Sequence, residues 1–357
     1  MKKLLATLLV LSMMLLGCSS GGSSGTPELA LITDSGGVND KSFNQSAWEA
    51  VKEYGEANGI GYKYYKPTTY DYAGYSEQIK NAVDNGAKVV ALPGFNFAAA
   101  IGVLQKDYPD VNFILIDATP TDEEGNAVDA EKNLYCALYK ETQTGFLAGY
   151  AAVKEGYNEL GFMGGMALPA VINFGYGYIQ GADFAAKETG AKVKVKYTYT
   201  GTFSESPEIK TKATGWYNGG TQVIFSCGGG ICNSIFAAAE DTDAKTIGVD
   251  SDQSSASETV ITSAMKGVKA TVAAQVAASY DGTFKGGVYT LDASGGYVGL
   301  PNDFSRFEHF TAEDYDAIFK KVADGTIKIS DYNAAGGKAG NPTKSKLSLK
   351  NTTVSFE

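Results

Sequence analysis

Short runs of buried-type residues alternate with longer amphipathic segments along most of this chain, and that alternation narrows the possible folds most. Leu29-Ala30-Leu31-Ile32-Thr33 is a short, partly β-branched apolar run and predicts a buried strand. Ser42 is placed to cap the helix that follows, in which Phe43, Ala47, Ala50, Val51 and Tyr54 recur at helical spacing. Further strands are expected at 60–65, 88–92, 112–116 and 133–138, with helices at 75–85 and 97–105, the first of these stopped by Gly86. The pattern then starts again. Helices are expected at 142–154, 172–187, 206–217 and 231–240, between strands at 158–163, 192–199, 221–226 and 244–249. Strands alternating with helices predict parallel sheets covered on both faces. Two such runs, each about the size of one domain, predict two α/β lobes with a cleft between them.

A chain of 357 residues, 44% hydrophobic and 20% charged, has the composition to bury cores of that size. Forty acidic side chains against 30 basic ones give a formal charge of -10, which disfavours nucleic acid as a partner. His309 is the one histidine, so a His-rich metal site is excluded and His-based acid–base catalysis has little to work with. There is no Gly-x-Ser-x-Gly elbow, no Gly-x-x-x-x-Gly-Lys-Ser/Thr loop and no His-Glu-x-x-His pattern. Gly228-Gly229-Gly230-Ile231-Cys232-Asn233 matches the dinucleotide fingerprint only in part, lacking its third glycine. These glycines read instead as bare backbone that a ligand can approach at a helix start. The expectation is a protein without cofactor, metal or enzymatic activity.

The N-terminus predicts export. Met1-Lys2-Lys3 is positively charged, and Leu4 to Leu16 is apolar apart from Thr7 and Ser12. Such a run suits a signal-peptide core and is too short to span a bilayer as a stable helix. It ends in Leu15-Leu16-Gly17-Cys18, which resembles the bacterial lipobox, whose cysteine becomes the lipidated N-terminus after cleavage. Residues 1–17 are therefore expected to be a lipoprotein signal peptide and Cys18 the lipid anchor. Residues 18–27, rich in Ser and Gly, would be a flexible linker. The expected location is the extracytoplasmic face of the bacterial cell membrane. Cys136, Cys227 and Cys232 remain, and an odd number leaves at least one thiol free. The spacing of Cys227 and Cys232 would allow a small-loop disulfide, while all three also read as small core hydrophobes.

Three predicted strands end directly in an aspartate: Thr33-Asp34, Ile116-Asp117 and Val249-Asp250. Two others run into Pro93-Gly94-Phe95-Asn96 and Cys227-Gly228-Gly229-Gly230. In open α/β sheets ligands bind beyond the carboxyl ends of the strands, so these loops are expected to meet at one cleft. Any one of the aspartates alone also reads as a turn or cap residue. Clustered carboxylates repel one another unless something compensates them. Hydroxyl donors do so without a metal: one carboxylate accepts two hydrogen bonds from a vicinal diol, and a cation such as Lys266 offsets the charge. Phe43 and Phe203 would supply stacking faces. Acids for a diol and rings for a flat heterocycle together describe a nucleoside site. A sugar would use the same diol chemistry with less need for facing rings. Calcium would also suit three carboxylates, but no Asp-rich loop of the EF-hand kind is present. A nucleoside hydrolase built on the same acids is the enzymatic alternative.

The segment Thr33-Asp34-Ser35-Gly36-Gly37-Val38-Asn39-Asp40-Lys41-Ser42-Phe43-Asn44-Gln45 resembles the opening signature of the basic membrane lipoprotein family, the nucleoside-receptor-like substrate-binding lipoproteins of ABC transporters. Further matches follow in order: Pro93-Gly94-Phe95, Phe146-Leu147-Ala148-Gly149, Gly164-Gly165, Gly228-Gly229-Gly230, Gly248-Val249-Asp250-Ser251-Asp252-Gln253 and Thr262-Ser263-Ala264-Met265-Lys266. The resemblance implies a type I periplasmic-binding-protein fold, α/β, with two doubly wound lobes, hinge crossings and a ligand cleft between them. The N-terminal lobe would take 28–140 plus 256–296, and the C-terminal lobe 141–255 plus 297–357. By motif position it implies that Asp34, Asp117, Asp250 and Lys266 hold a ribose. Phe43 and Phe203 would sandwich a base, Asn44 would meet the base edge, and Gly228 and Gly229 would offer backbone. The implied partners are a nucleoside of the adenosine, guanosine and inosine class and ABC transporter permease subunits, with the chain monomeric and held to the membrane by its lipid. A sugar or an autoinducer-type signal bound by the same fold is the alternative.

Overall fold

The computed structural model describes residues 25–331 and 347–357. The expected signal peptide 1–17, the anchor Cys18, the linker as far as residue 24, and 332–346 of the expected C-terminal lobe lie outside the described residues.

The first half runs β1 (Leu29–Ile32), α1 (Phe43–Asn58), β2 (Tyr62–Tyr65), α2 (Tyr72–Asp84), β3 (Val89–Pro93), α3 (Ala98–Asp107), β4 (Asn112–Ile116) and β5 (Leu134–Tyr139). The second runs α4 (Glu141–Lys154), β6 (Glu159–Gly164), α5 (Pro169–Thr189), β7 (Val193–Tyr199), α6 (Pro207–Asn218), β8 (Val223–Cys227), α7 (Ile231–Thr242), β9 (Lys245–Asp250) and β10 (Val260–Lys266). After these come α8 (Val268–Asp281), β11 (Gly287–Leu291), β12 (Val298–Gly299), α9 (Ala312–Ala323) and β13 (Thr352–Phe356). Two sheets result: six strands in the order β11-β5-β4-β3-β1-β2, and seven in the order β12-β10-β9-β8-β6-β7-β13. Every pairing is parallel except β10 with β12.

The period of two in β1 shows how the first sheet is covered. Leu29 and Leu31 pack into the cluster that holds Ala47 and Val51 of α1. Ala30 and Ile32 pack on the other face, with Ile79 of α2 and Ile101 of α3. Both sets are fully buried, which is why the strand reads as continuously apolar rather than alternating. In the second lobe α4 is buried nearly all round and lies against α5.

The chain crosses between the lobes after β5, after β10, and between β11 and β12. One expected boundary needs correction. Residues 256–296 were assigned to the N-terminal lobe, but β10 pairs with β9 in register Met265↔Asp250 and belongs to the second sheet. Only after Lys266 does the chain return, with α8 packing on α1 and β11 on β5. The physical reason is that a buried β-branched strand satisfies either sheet equally, and its place is set by the neighbour it pairs with.

Candidate functional site

The cleft lies where the carboxyl ends of strands from both sheets face one another. Its lining comes from the ends of β1, β3, β4, β8, β9 and β10 and from the N-terminal turns of α1 and α5. It encloses about 680 Å³, counting the space at its open mouth. Asp34, Phe43, Asn44, Asp117, Phe203, Gly228, Gly229, Asp250 and Lys266 all line it. So do Phe95, from a loop expected at the cleft, and Asp40, Val171 and Phe174, which the sequence reading did not single out. The signal for the last two was available, since α5 follows a strand and its first turn faces the same crevice.

Asp117 and Asp250 hold equivalent positions. Each terminates a strand with a left-handed backbone, at φ 63° and 65° respectively. Such a conformation costs an ordinary side chain on the order of 1 kcal/mol or more, and Asp bears it better than most. It turns both carboxylates toward Lys266. The Lys266 ammonium donates to Asp117 Oδ2 at 2.5 Å and lies 3.5 Å from Asp250 Oδ1. It also sits 4.6 Å above the Phe43 ring, a cation–π arrangement. Lys266 is the last residue of a buried strand and 5% exposed. Burial by itself would lower its pKa, but the carboxylates of Asp117, Asp250 and Glu141 outweigh that and raise it. Asp117 is pushed up by burial, opposed by Lys266. Its Oδ1 is buried and takes no hydrogen bond.

Asp34 stands apart from that cluster. Its Oδ1 accepts from the Gly36 N–H at 2.7 Å and from Asn44 Nδ2 at 2.8 Å. Burial pushes its pKa up to about 6, with these donors opposing the rise and the charges of Asp40 and Asp250 adding to it. Asn44 also donates to Asp40 Oδ2 at 3.0 Å and accepts the Asp34 N–H at 3.1 Å. Both of its N–H donors are therefore committed to acids, and one lone pair of Oδ1 is what it has left for a ligand. Glu141, at the start of α4, is a further buried acid that no motif announced. Burial, and then the charge of Asp117, raise its pKa to about 7.

The expected cap of α1 is corrected. Ser42 is at the N-cap, but its side chain makes no capping bond. Asp40 takes that role, accepting from the N–H groups of Asn44 at 2.9 Å and Gln45 at 3.1 Å. The Ser42 hydroxyl crosses to the other lobe and donates to Asp250 Oδ2 at 2.6 Å. The glycines also divide. Gly229 has φ 55° and a Cβ there would meet nothing closer than 3.7 Å, so its backbone faces the cleft. At Gly228 a Cβ would stand 2.7 Å from the Gly165 nitrogen, so close packing of two loops is enough to require it. All three cysteines are free and buried, and Cys227 is not bridged to Cys232. Among the described residues no His, Cys, Asp and Glu group could hold a metal ion.

Two lobes built on mainly parallel sheets and joined by three crossings, with a pocket between strand ends, define the type I periplasmic-binding fold. Residues 28–333 match the family described as Bmp, ABC transporter substrate-binding protein PnrA-like, and the chain belongs to that family. It is a family of transporter binding proteins, not of enzymes. The ABC transporter nucleoside-binding protein BmpA of Lactococcus lactis is 31% identical over 88% of this chain and 94% of its own. Basic membrane protein A1 of Borrelia garinii is 33% identical over 75% of this chain and 77% of its own. A crystal structure of an ABC transporter solute-binding protein from Aeropyrum pernix superposes with a TM-score of 0.76. It covers 88% of this chain and 97% of that one at 21% identity, a likeness of fold. No helix among the described residues is long and apolar enough to cross a membrane.

Proposed function

We propose that this chain captures nucleosides, purine nucleosides foremost, and delivers them to the permease of an ABC transporter. One observation carries the reading: a buried, unpartnered carboxylate oxygen of Asp117 shares a pocket with two phenylalanine rings that stack on no other ring of the described residues. Asp117 and Asp250, fixed by Lys266, would accept the ribose hydroxyls in charge-assisted hydrogen bonds, each contributing about 1.5–3 kcal/mol. Phe43 and Phe203 would take the faces of the base, and base–aromatic stacking contributes about 1–3 kcal/mol per ring. Asp34 and the remaining acceptor of Asn44 would meet the ligand on the first lobe, with Gly228 and Gly229 on the second. The nucleoside-binding name of the Lactococcus relative supports the reading. The two rings favour a nucleoside over a free sugar, which has no flat heterocycle to stack on them. We further propose that the chain acts as a monomer, tethered at the outer face of the cell membrane through lipidated Cys18.

Isothermal titration with inosine, hypoxanthine and ribose tests the assignment. Inosine is expected to bind 1:1, with the free base and the free sugar each at least tenfold weaker. Asp250→Ala and Phe43→Ala should each weaken inosine several-fold or more. Equal affinity for hypoxanthine and inosine would remove the ribose-binding role of the acids.

A further inference from the structure

The loop between β1 and α1 does more than line the cleft: it reaches across it. The Ser42 hydroxyl donates to Asp250 Oδ2 at 2.6 Å and lies 3.4 Å from the Val249 carbonyl. The carbonyl of the preceding residue, Lys41, accepts from Ser251 Oγ at 3.0 Å and from Gln253 Nε2 at 2.9 Å. Four polar contacts therefore bridge the first lobe to the loop after β9, along one edge of the pocket.

Both sides of this bridge are held rigid from within their own lobe. On the first lobe Asp40 accepts the N–H groups of Ser42, Asn44 and Gln45, which fixes the turn. On the second, Gln253 accepts the Val249 N–H at 2.9 Å and its own N–H donates to Ser263 Oγ at 3.0 Å. Gly248 lies beneath it, where a Cβ would come within 2.6 Å of Gln253 Oε1. Lys41 has φ 55°, an uncommon conformation for a lysine, and it is this turn that presents the carbonyl to the other lobe. Preorganised partners lose little conformational freedom when they meet, so more of each hydrogen bond appears as stabilisation of the joined state.

We propose that the Lys41–Ser42 turn is an interlobe latch that sets the balance between open and closed lobes, and that Ser42 is a positioning residue for Asp250. The carboxylate of Asp250 then serves two partners, with one oxygen turned to the latch and the other to Lys266. Closing the latch orients the acid, and orienting the acid prepares the pocket. The latch concerns closure and holds whatever solute the cleft accepts.

The test uses the full chain carrying Cys18→Ser, with spin labels at Lys80→Cys and Thr211→Cys, exposed positions on α2 and α6, the other three native cysteines being buried. Ser42→Ala and Ser251→Ala each delete one bridging donor, and Ser251 does not line the pocket. Each variant is expected to shift the interlobe distance distribution toward longer separations and to raise the inosine dissociation rate roughly tenfold, with melting temperature unchanged. Ser42→Thr, which keeps the hydroxyl, should restore both. Distance distributions and dissociation rates that match the parent in both alanine variants would overturn the latch. If inosine does not bind the parent at all, the nucleoside reading fails while the distance distributions still decide the latch.

Discussion

Asp34 is a side chain at which burial and hydrogen bonding oppose each other directly. Its folded pKa of about 6 lies above the ordinary 3.8, because desolvation outweighs the hydrogen bonds from Gly36 and Asn44. The folded state therefore holds this proton more tightly than the unfolded chain does. The resulting stabilisation is fully present below the unfolded pKa and is lost as pH rises through about 6. Glu141 acts in the same direction, with loss extending to about pH 7. Keeping Asp34 ionised at neutral pH costs about 3 kcal/mol at most. Urea unfolding of the free protein should therefore show stability falling between pH 4.5 and 7.5. Asp34→Asn, which cannot ionise, should flatten part of that slope, and an unchanged slope would refute the assignment. The same ionisation should make nucleoside affinity rise over this range, since the charged form is the better acceptor. Asp34, Asp117 and Asp250 were legible in the sequence because each follows a predicted strand. Glu141 and Asp40 were not, because their importance comes from what surrounds them.

At the level of elements, the tightest contact is between α4 and α5. Gly145 and Gly149 face the carbonyls of Phe174 and Tyr178, and Gly177 and Gly181 face those of Thr142 and Phe146. A Cβ at Gly149 would lie 1.9 Å from the Tyr178 oxygen, so the helices would have to separate. Gly149→Ala should destabilise by at least ~2 kcal/mol in chemical denaturation, through overpacking. Gly215, within α6, has nothing within 4 Å of its Cβ position. Gly215→Ala should be neutral or slightly stabilising, by up to about 1 kcal/mol. Equal effects at the two sites would show that helix propensity, not close approach, governs them. The helices themselves were legible from periodicity, with ends displaced by a few residues: α5 begins at Pro169, not 172, and α1 continues to Asn58. Its expected cap was misplaced by two residues because both Asp40 and Ser42 can accept backbone N–H groups. Spacing alone does not say which one the turn aims inward.

For the molecule as a whole, the proposed lipid anchor at Cys18 and the cleft together would make a receptor that works at a membrane surface. Cys18→Ser should release the protein from the membrane fraction to the culture medium without altering inosine affinity. Retention in the membrane fraction would show that something other than the acyl chain holds it. The alternation of strands and helices fixed the parallel-sheet class, because a chain of that pattern has few other ways to bury both faces of its strands. The placement of acids after strands fixed where a cleft would carry charge, because parallel strands of one sheet end on the same side. Tertiary structure alone decided that β10 joins the second sheet, that Lys266 meets Asp117 and Asp250, and that Ser42 reaches Asp250. The Lys266–Asp117 and Ser42–Asp250 contacts join residues 149 and 208 positions apart in the chain. A local pattern records how a segment will be buried; which distant charge or hydroxyl it will face is settled only when the two lobes come together.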